Sequence, residues 1–324
     1  MKKIFSLLLA LIGVFSLAGC KEEKPEDPIK EEIKIVLPGG APLMSHLGIY
    51  DKSQNEEFRI AGSKVTITTG ATPEQLQAAY GRGEADIIIS PVNMGIKMYN
   101  AKHMYKYAAN ISDGNICLAS TTKMESFADL AKMNIVSFGE GNVNALALKK
   151  VLEVEGIRPL SLKYLSNVRD TNTQLIADKN PNTAYLVAEP AISVAKTKLG
   201  QAGKPVYILD LLKEFKDKLG IPYLQAGIFV KDGTPEKFLN EYLEMIKSDM
   251  KSFNEDPKTL SEISNKYTDK EGQNLFGFPP AKVLEKSVKG CNLVYRSAKE
   301  ARESLEKLND LLFGGAKISE EFYL

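Results

Sequence analysis

Asp86 to Ser90 reads DIIIS, a short strand apolar at three consecutive positions. A strand of that kind needs cover on both of its faces, which parallel sheets sandwiched between helices provide. The surrounding sequence supplies the helices. Lys64 to Thr69 (KVTITT) is β-branched and strand-like, and Thr72 to Arg82 (TPEQLQAAYGR) opens with a Thr N-cap, Pro at the first helical position and Glu in the first turn. Upstream, Ile33 to Leu37 is an alternating-to-continuous apolar strand that stops at Pro38 to Pro42 (PGGAP). A second series runs through a strand at Asn134 to Phe138, a helix at Asn144 to Glu155, a strand around Leu162 to Leu165, a helix near Thr171 to Ala177 and a strand at Ala184 to Val187. Strands alternating with helices predict an α/β fold with a mainly parallel sheet. After one more strand, Gln225 to Val230, the chain turns helical: Pro235 to Phe253, Ala281 to Lys289 and Ala298 to Leu312.

The N-terminus obeys a different logic. Lys2 and Lys3 precede a continuous apolar run from Ile4 to Leu17, followed by Ala18-Gly19-Cys20. This is the plan of a secretory signal, and the cysteine directly after the small residues resembles the lipobox of bacterial lipoproteins. Residues 1–19 are therefore expected to be a lipoprotein signal peptide and Cys20 the lipidated first residue of the mature chain. A plain secretory signal with a chance cysteine and a first transmembrane helix are the alternatives, although the run is shorter than the ~20 residues that span a bilayer. Lys21 to Lys30 (KEEKPEDPIK) is charged, contains two prolines and has no apolar periodicity, so residues 20–32 read as a tether. Ten such residues reach at most ~35 Å. The expected location is the extracytoplasmic face of the cell membrane, held by lipid.

Removing the signal leaves about 305 residues, enough for two lobes with separate cores. Lys plus Arg (42) almost cancels Asp plus Glu (41), so the chain lacks the basic excess a phosphate backbone attracts, and no nucleic-acid partner is expected. Cys117 and Cys291 are the only cysteines besides Cys20. They are too few for a disulfide scaffold and read as buried free thiols, with a single bridge between them as the alternative. With His46 and His103 the only histidines, material for a zinc or iron site is lacking, and neither a metal nor a cofactor is expected.

Four Gly-, Pro- and Asn-rich turns follow strands: Pro38 to Pro42, Ser90 to Asn93 (SPVN), Ser112 to Asn115 (SDGN) and Gly139 to Asn142 (GEGN). Such turns leave backbone amides free where α/β proteins bind ligands, though each alone is also an ordinary turn. Gly139 to Asn142 lacks the Lys-Ser/Thr continuation of a P-loop and the third glycine of a dinucleotide fingerprint. No G-x-S-x-G elbow surrounds Ser90 or Ser112, and neither histidine has a triad context. Glu189 ends an apolar strand, so it either faces a cleft or pairs with a basic residue. Tyr223 is a candidate cleft ring or a core ring with a bonded hydroxyl.

These motifs in this order resemble the solute-binding proteins of ABC importers. The segments that carry the resemblance are Ile35 to Pro42, Gly83 to Asn93, Asp129 to Gly141, Ala188 to Pro190 and Pro222 to Gly227. They are similar to the group serving nitrate, sulfonate, taurine and thiamine-precursor pyrimidines, over nearly the whole mature chain. The resemblance implies a type II periplasmic-binding-protein fold: two α/β lobes joined by two crossing strands, an interlobe ligand cleft and a helical C-terminal third. The crossings are expected near Ile116 to Ser120 and Leu224 to Val230. Lobe 1 is expected at residues 33–116 and 226–324, and lobe 2 at residues 117–225. Ligand contacts are implied for Gly40, Ala41, Pro42, Ser90, Asn93 and Asn115 from lobe 1, and for Gly141, Asn142 and Glu189 from lobe 2, with Asn93 the leading choice. The implied function is capture of a small polar metabolite by lobe closure and delivery to a permease with its ATPase, the binding protein itself a monomer with no catalytic residues. Where many relatives read Gly-Gln-Gly-Ser/Thr this chain has Gly139-Glu140-Gly141-Asn142. That carboxylate counts against nitrate or sulfonate unless Glu140 points away, and leaves room for a neutral or cationic heterocycle. An enzyme on the same fold and a lipoprotein sensor or adhesin are the alternative functions.

Overall fold

The computed structural model describes residues 29–324; the expected signal peptide, Cys20 and most of the tether lie outside the described residues. In chain order the elements are β1 (Glu32–Val36), α1 (Ala41–Ser53), β2 (Lys64–Thr68), α2 (Pro73–Arg82), β3 (Ile87–Pro91), α3 (Val92–Lys102), β4 (Tyr105–Ser112) and β5 (Ile116–Ser120). There follow β6 (Asn134–Phe138), α4 (Val143–Val154), β7 (Ser161–Leu165), α5 (Val168–Ala177), β8 (Thr183–Ala188), α6 (Ala191–Gln201), β9 (Tyr207–Leu209) and α7 (Leu211–Leu219). The last are β10 (Ala226–Lys231), α8 (Glu236–Glu255), α9 (Pro257–Asn265), α10 (Ala281–Ser287), β11 (Arg296–Ser297) and α11 (Ala298–Leu312).

The strands form two sheets, ordered β11-β4-β10-β3-β1-β2 and β7-β6-β8-β5-β9. The parallel pairs expected from the β/α alternation are present: β1 with β2 and β3, and β6 with β7 and β8. Antiparallel pairing enters with β10, which lies between β3 and β4, and with β5, which lies between β8 and β9. These are the first strands after each passage between the sheets. The chain leaves β4 for β5 through Asp113–Asn115 and returns from α7 to β10 through Gly220–Gln225, so each entering strand runs against its neighbours.

Local chemistry accounts for the layers. Thr72 and Gln75 form a reciprocal capping box at the start of α2, and Gly83 ends it in the left-handed conformation at φ 64°. Ile87 to Ser90 are all buried because the first sheet has cores on both faces. Ile35, Ile87, Ile89, Ile228 and Val230 pack against Leu43 and Leu47 of α1 and Phe238 and Ile246 of α8. Ile88, Tyr107 and Phe229 turn the other way, into a core with Leu76, Ile96 and Leu305 from α2, α3 and α11. Full burial of each such side chain is worth about 1.5–3 kcal/mol. In the second sheet Leu118, Ile135 and Leu186 join that latter core with Leu148 of α4, while Ala119, Val136 and Val187 face Leu175 of α5 and Ile192 of α6.

The C-terminal third returns to brace the first passage. The Asp113 amide donates to the Asn292 carbonyl (3.1 Å), the Asn292 side-chain amide donates to the Gly114 carbonyl (2.7 Å), and the Arg296 guanidinium pairs with the Asp113 carboxylate. Cys117 and Cys291 are free thiols, and burial pushes that of Cys117 up to about 12. Among the described residues no helix is long and apolar enough to cross a membrane.

Candidate functional site

The β1–α1 and β8–α6 junctions, the carboxyl end of the parallel strand β6 and the starts of α4 and α5 open on a cleft of about 570 Å³. Such strand ends are where open α/β sheets bind ligands. Gly39 to Pro42 and the loop Phe276 to Pro279 line one side. Phe138, Asn144, Val168, Arg169, Asn172 and Ala188 to Ala191 line the other, and Asn115 and Gln225 come from the two passages between the sheets.

Gly40 precedes α1 at φ 79°, ψ −145°, a conformation that favours glycine, and no side chain caps this helix end. Pro42 has no amide hydrogen and the Leu43 amide donates to the Gly40 carbonyl (3.1 Å), so what the helix offers the cleft is its positive end, uncapped by any side chain. The turn is pinned from within the protein. Ser45 Oγ donates to the Pro42 carbonyl (2.7 Å), His46 Nδ1 lies 3.1 Å from the same oxygen, and His46 Nε2 lies 2.6 Å from the Tyr242 hydroxyl on α8. Complete burial lowers the His46 imidazole to about 4, the Pro42 contact opposing this.

Asn115 and Glu189 are tied together across the junction of passage and strand. Asn115 Nδ2 donates to the Glu189 carbonyl (2.6 Å) and the Glu189 amide donates to the Asn115 carbonyl (2.8 Å). The Glu189 carboxylate accepts from Ser193 Oγ (2.9 Å) and the Ser193 amide (3.3 Å) at the start of α6. Burial raises its pKa above the ordinary carboxylate value, with the Ser193 bonds and Lys196 opposing. Among the described residues no cation stands within ion-pair distance of Glu189, and no carboxylate stands within that distance of Arg169, which is exposed at the first turn of α5. Asn115 and Asn172 are each only 8 % exposed, yet the Oδ1 atom of each has no hydrogen-bond partner. Asn144 Oδ1, by contrast, is satisfied by the Tyr223 hydroxyl (2.7 Å) and Gln225 Nε2 (3.2 Å), so Tyr223 is a core ring with a bonded hydroxyl.

Of the residues singled out in the sequence, Gly40, Ala41, Pro42, Asn115 and Glu189 come together here. The other four lie elsewhere. Ser90 is fully buried and shares a 2.8 Å hydrogen bond with Tyr80. Asn93 and Gly141 line a separate hollow of about 400 Å³ between α3, the start of α4 and the end of α11. Asn142 caps α4, accepting from the Ala145 amide at 2.9 Å. Glu140 lies 4.0 Å from Lys149 and does not line the cleft. Sequence reasoning missed Arg169, Asn172, Asn144, Gln225 and the three phenylalanines. For Arg169 a signal existed: Asn167 caps α5 by accepting from the Asp170 amide (3.1 Å), and an Asn-x-x-Asp run after a strand marks a helix start. Phe276 and Phe278 follow no strand and carried no such signal.

No protein-family model and no curated protein matches the chain. Solved structures do. An ABC transporter protein from Parabacteroides distasonis is 19 % identical with a TM-score of 0.74, the match covering 91 % of this chain and 99 % of that one. The periplasmic aliphatic sulphonate binding protein SsuA from Escherichia coli is 16 % identical with a TM-score of 0.66, covering 88 % of each chain. A Candida albicans protein described as having the generic periplasmic binding protein structural fold is 9 % identical with a TM-score of 0.58, covering 90 % of this chain and 94 % of that one. At these identities the likeness establishes the fold. The expectation of a periplasmic-binding-protein architecture is borne out, and the structural neighbours include the binding proteins of ABC transporters.

Proposed function

We propose that this chain is the solute-binding lipoprotein of an ABC importer, anchored through lipid on Cys20 at the extracytoplasmic face and acting as a monomer. Residues 33–116 with 226–324 would form one lobe and 117–225 the other. A small polar metabolite bridges them, and the closed form docks on a permease coupled to its ATPase. The observation that carries this reading is the cleft between the two sheets, with the open start of α1 on one side and Asn115, Asn172 and Glu189 among the residues that line it. A concave cleft of this kind, apolar over much of its wall with a few polar side chains, suits a small ligand. Closure follows because a ligand that touches both lobes binds the closed form more tightly and shifts the population toward it.

The proposed contacts are Gly40, Ala41, Pro42, Asn115 and Glu189, with Arg169 and Asn172 added. Purified protein should carry a small solute identifiable by mass spectrometry, and should gain thermal stability when that solute is returned to the stripped chain. Ligand at 100 times its Kd adds about 2.7 kcal/mol. Absence of any stabilising solute, together with catalytic turnover of a metabolite, would overturn the reading.

A further inference from the structure

We propose that Asn274 is a positioning residue for the cleft: it fixes the loop Phe276 to Pro279, and the loop so placed selects a solute that carries an aromatic ring. This rests on the binding-protein reading above and narrows its ligand class. α9 ends at Asn265 and α10 begins at Ala281, and the long connection between them has neither helix nor strand, only the bridge of Thr268 with Asn274. Long irregular connections inside a compact fold are uncommon and are usually functional. This one brings Phe276 to Pro279 to the cleft wall.

Asn274 commits both ends of its side-chain amide to that connection. Its Nδ2 donates to the Ser264 carbonyl (2.9 Å) and lies 3.1 Å from Ser264 Oγ and 3.0 Å from Thr268 Oγ1. Its Oδ1 accepts from the amides of Phe276 (3.0 Å) and Phe278 (3.4 Å), and its carbonyl accepts from the Gly277 amide (2.9 Å). A side-chain amide has two donors and two acceptor lone pairs, so these partners use its full capacity and set its orientation. One residue thus joins the last turn of α9 to the cleft loop. Between the two phenylalanines Gly277 stands at φ 70°, a conformation that favours glycine.

The rings are held as well as the backbone. Phe276 stands edge-on to Tyr50 of α1, with centroids 5.0 Å apart and planes at 89°, and is tilted against Tyr267 (5.2 Å) and Phe278 (5.8 Å). Tyr267 is tied to α1 in turn, its hydroxyl donating to Asp51 Oδ1 (2.8 Å). Phe138, at the end of β6, lines the opposite side, and Pro42, Val168, Pro190, Val194 and Pro279 add to the apolar wall. Aromatic groups favour tilted or offset aromatic partners by more than their buried area provides. A ring in this cleft meets phenylalanines from both sides, on a loop already ordered before it arrives, which lowers the entropy lost on binding. A bare small anion gains almost none of that contact.

Titration calorimetry on the purified chain, stripped of any carried solute, tests this with pairs that match in charge and differ in the ring: benzoate against cyclohexanecarboxylate, benzylamine against cyclohexylmethylamine, and benzamide against cyclohexanecarboxamide. In at least one pair the aromatic member is expected to bind about fivefold or more tightly. Asn274→Ala and Phe276→Leu should each bring that ratio close to one, and the double variant should lose no more than either, because the asparagine acts through the ring. The saturated member should bind each single variant within about threefold of the wild type, which a general loss of structure would not give. Asn274→Asp, which keeps an oxygen for the Phe276 and Phe278 amides, should retain the preference, and it decides the role of the asparagine if the alanine variant folds poorly. A preference that survives Asn274→Ala, or is lost in a folded Asn274→Asp, would overturn that role. Saturated members that bind the wild type as tightly as the aromatic ones, or a copurified solute without an aromatic ring, would overturn the inference and leave the binding-protein reading intact. A chain that neither carries nor binds any solute would overturn both.

Discussion

His46 has no exposed surface, and its contacts with the Pro42 carbonyl, Ser45 and Tyr242 fit a neutral ring whose Nδ1–H donates and whose Nε2 accepts from the tyrosine. Its folded-state pKa of about 4 lies below the ordinary 6.5, so the unfolded chain binds more protons in that interval. The stabilising contribution is complete above pH 6.5 and is lost as the pH falls toward 4, on the order of 3 kcal/mol in all. Urea denaturation at pH 7, 5.5 and 4.5 should show this loss in the wild type and a smaller loss in His46→Gln. Parallel losses in the two proteins would show that the ring is not held neutral. A second residue-scale comparison separates the two hollows. Asn115→Ala should strongly reduce ligand-induced thermal stabilisation, whereas Asn93→Ala, altering the hollow beside α3, should leave most of it. The reverse order would move the ligand to the second hollow.

Among the elements, those defined by local chemistry were legible before the structure was known. The Thr N-cap of α2 and the apolar triplet of β3 needed no tertiary information. The start of α1 was harder to read, because PGGAP carries the signals of a turn and the helix begins inside it at Ala41. What fixes α1 is contact with α8, far along the chain. A Cβ on Gly48 would lie 2.1 Å from Asp249 Oδ2 and 2.7 Å from its Cγ, so glycine is what allows the two helices their close approach. Asp249 is itself half-buried, its carboxyl raised by burial with Lys52 opposing at 3.6 Å. Gly48→Ala should therefore destabilise the protein by about 1–3 kcal/mol through overpacking, even though alanine is the better helix former. A rise in denaturation midpoint would mean that Asp249 swings aside freely. The same limit explains the missed cleft residues: Phe276 and Phe278 reach the cleft only through the packing of the C-terminal third, which no local periodicity encodes.

At the scale of the molecule, alternating strands and helices announced two α/β units but not the direction in which β5 and β10 run. That direction is set by the end from which the chain re-enters each sheet, a property of the passages at Asp113–Asn115 and Gly220–Gln225. The returning C-terminal segment also touches both units. Its Asn292 and Arg296 grip the first passage, α10 packs on α6, and Gly290 lies so near Glu189 that a Cβ there would stand 2.7 Å from the glutamate Cγ. Gly290 has no left-handed backbone requirement, so Gly290→Ala tests space alone. The added methyl meets the Glu189 stem in the structure described, so that stem must shift to make room. If Glu189 holds the ligand as proposed, the variant should then weaken ligand binding by about tenfold, equivalent to about 1.4 kcal/mol, and lower the unliganded denaturation midpoint as well. Small-angle scattering should show the variant less compact than the wild type at equal, subsaturating ligand. Unchanged affinity and equal compaction would place the closing motion away from the β8–α6 junction and leave Gly290 a packing residue only.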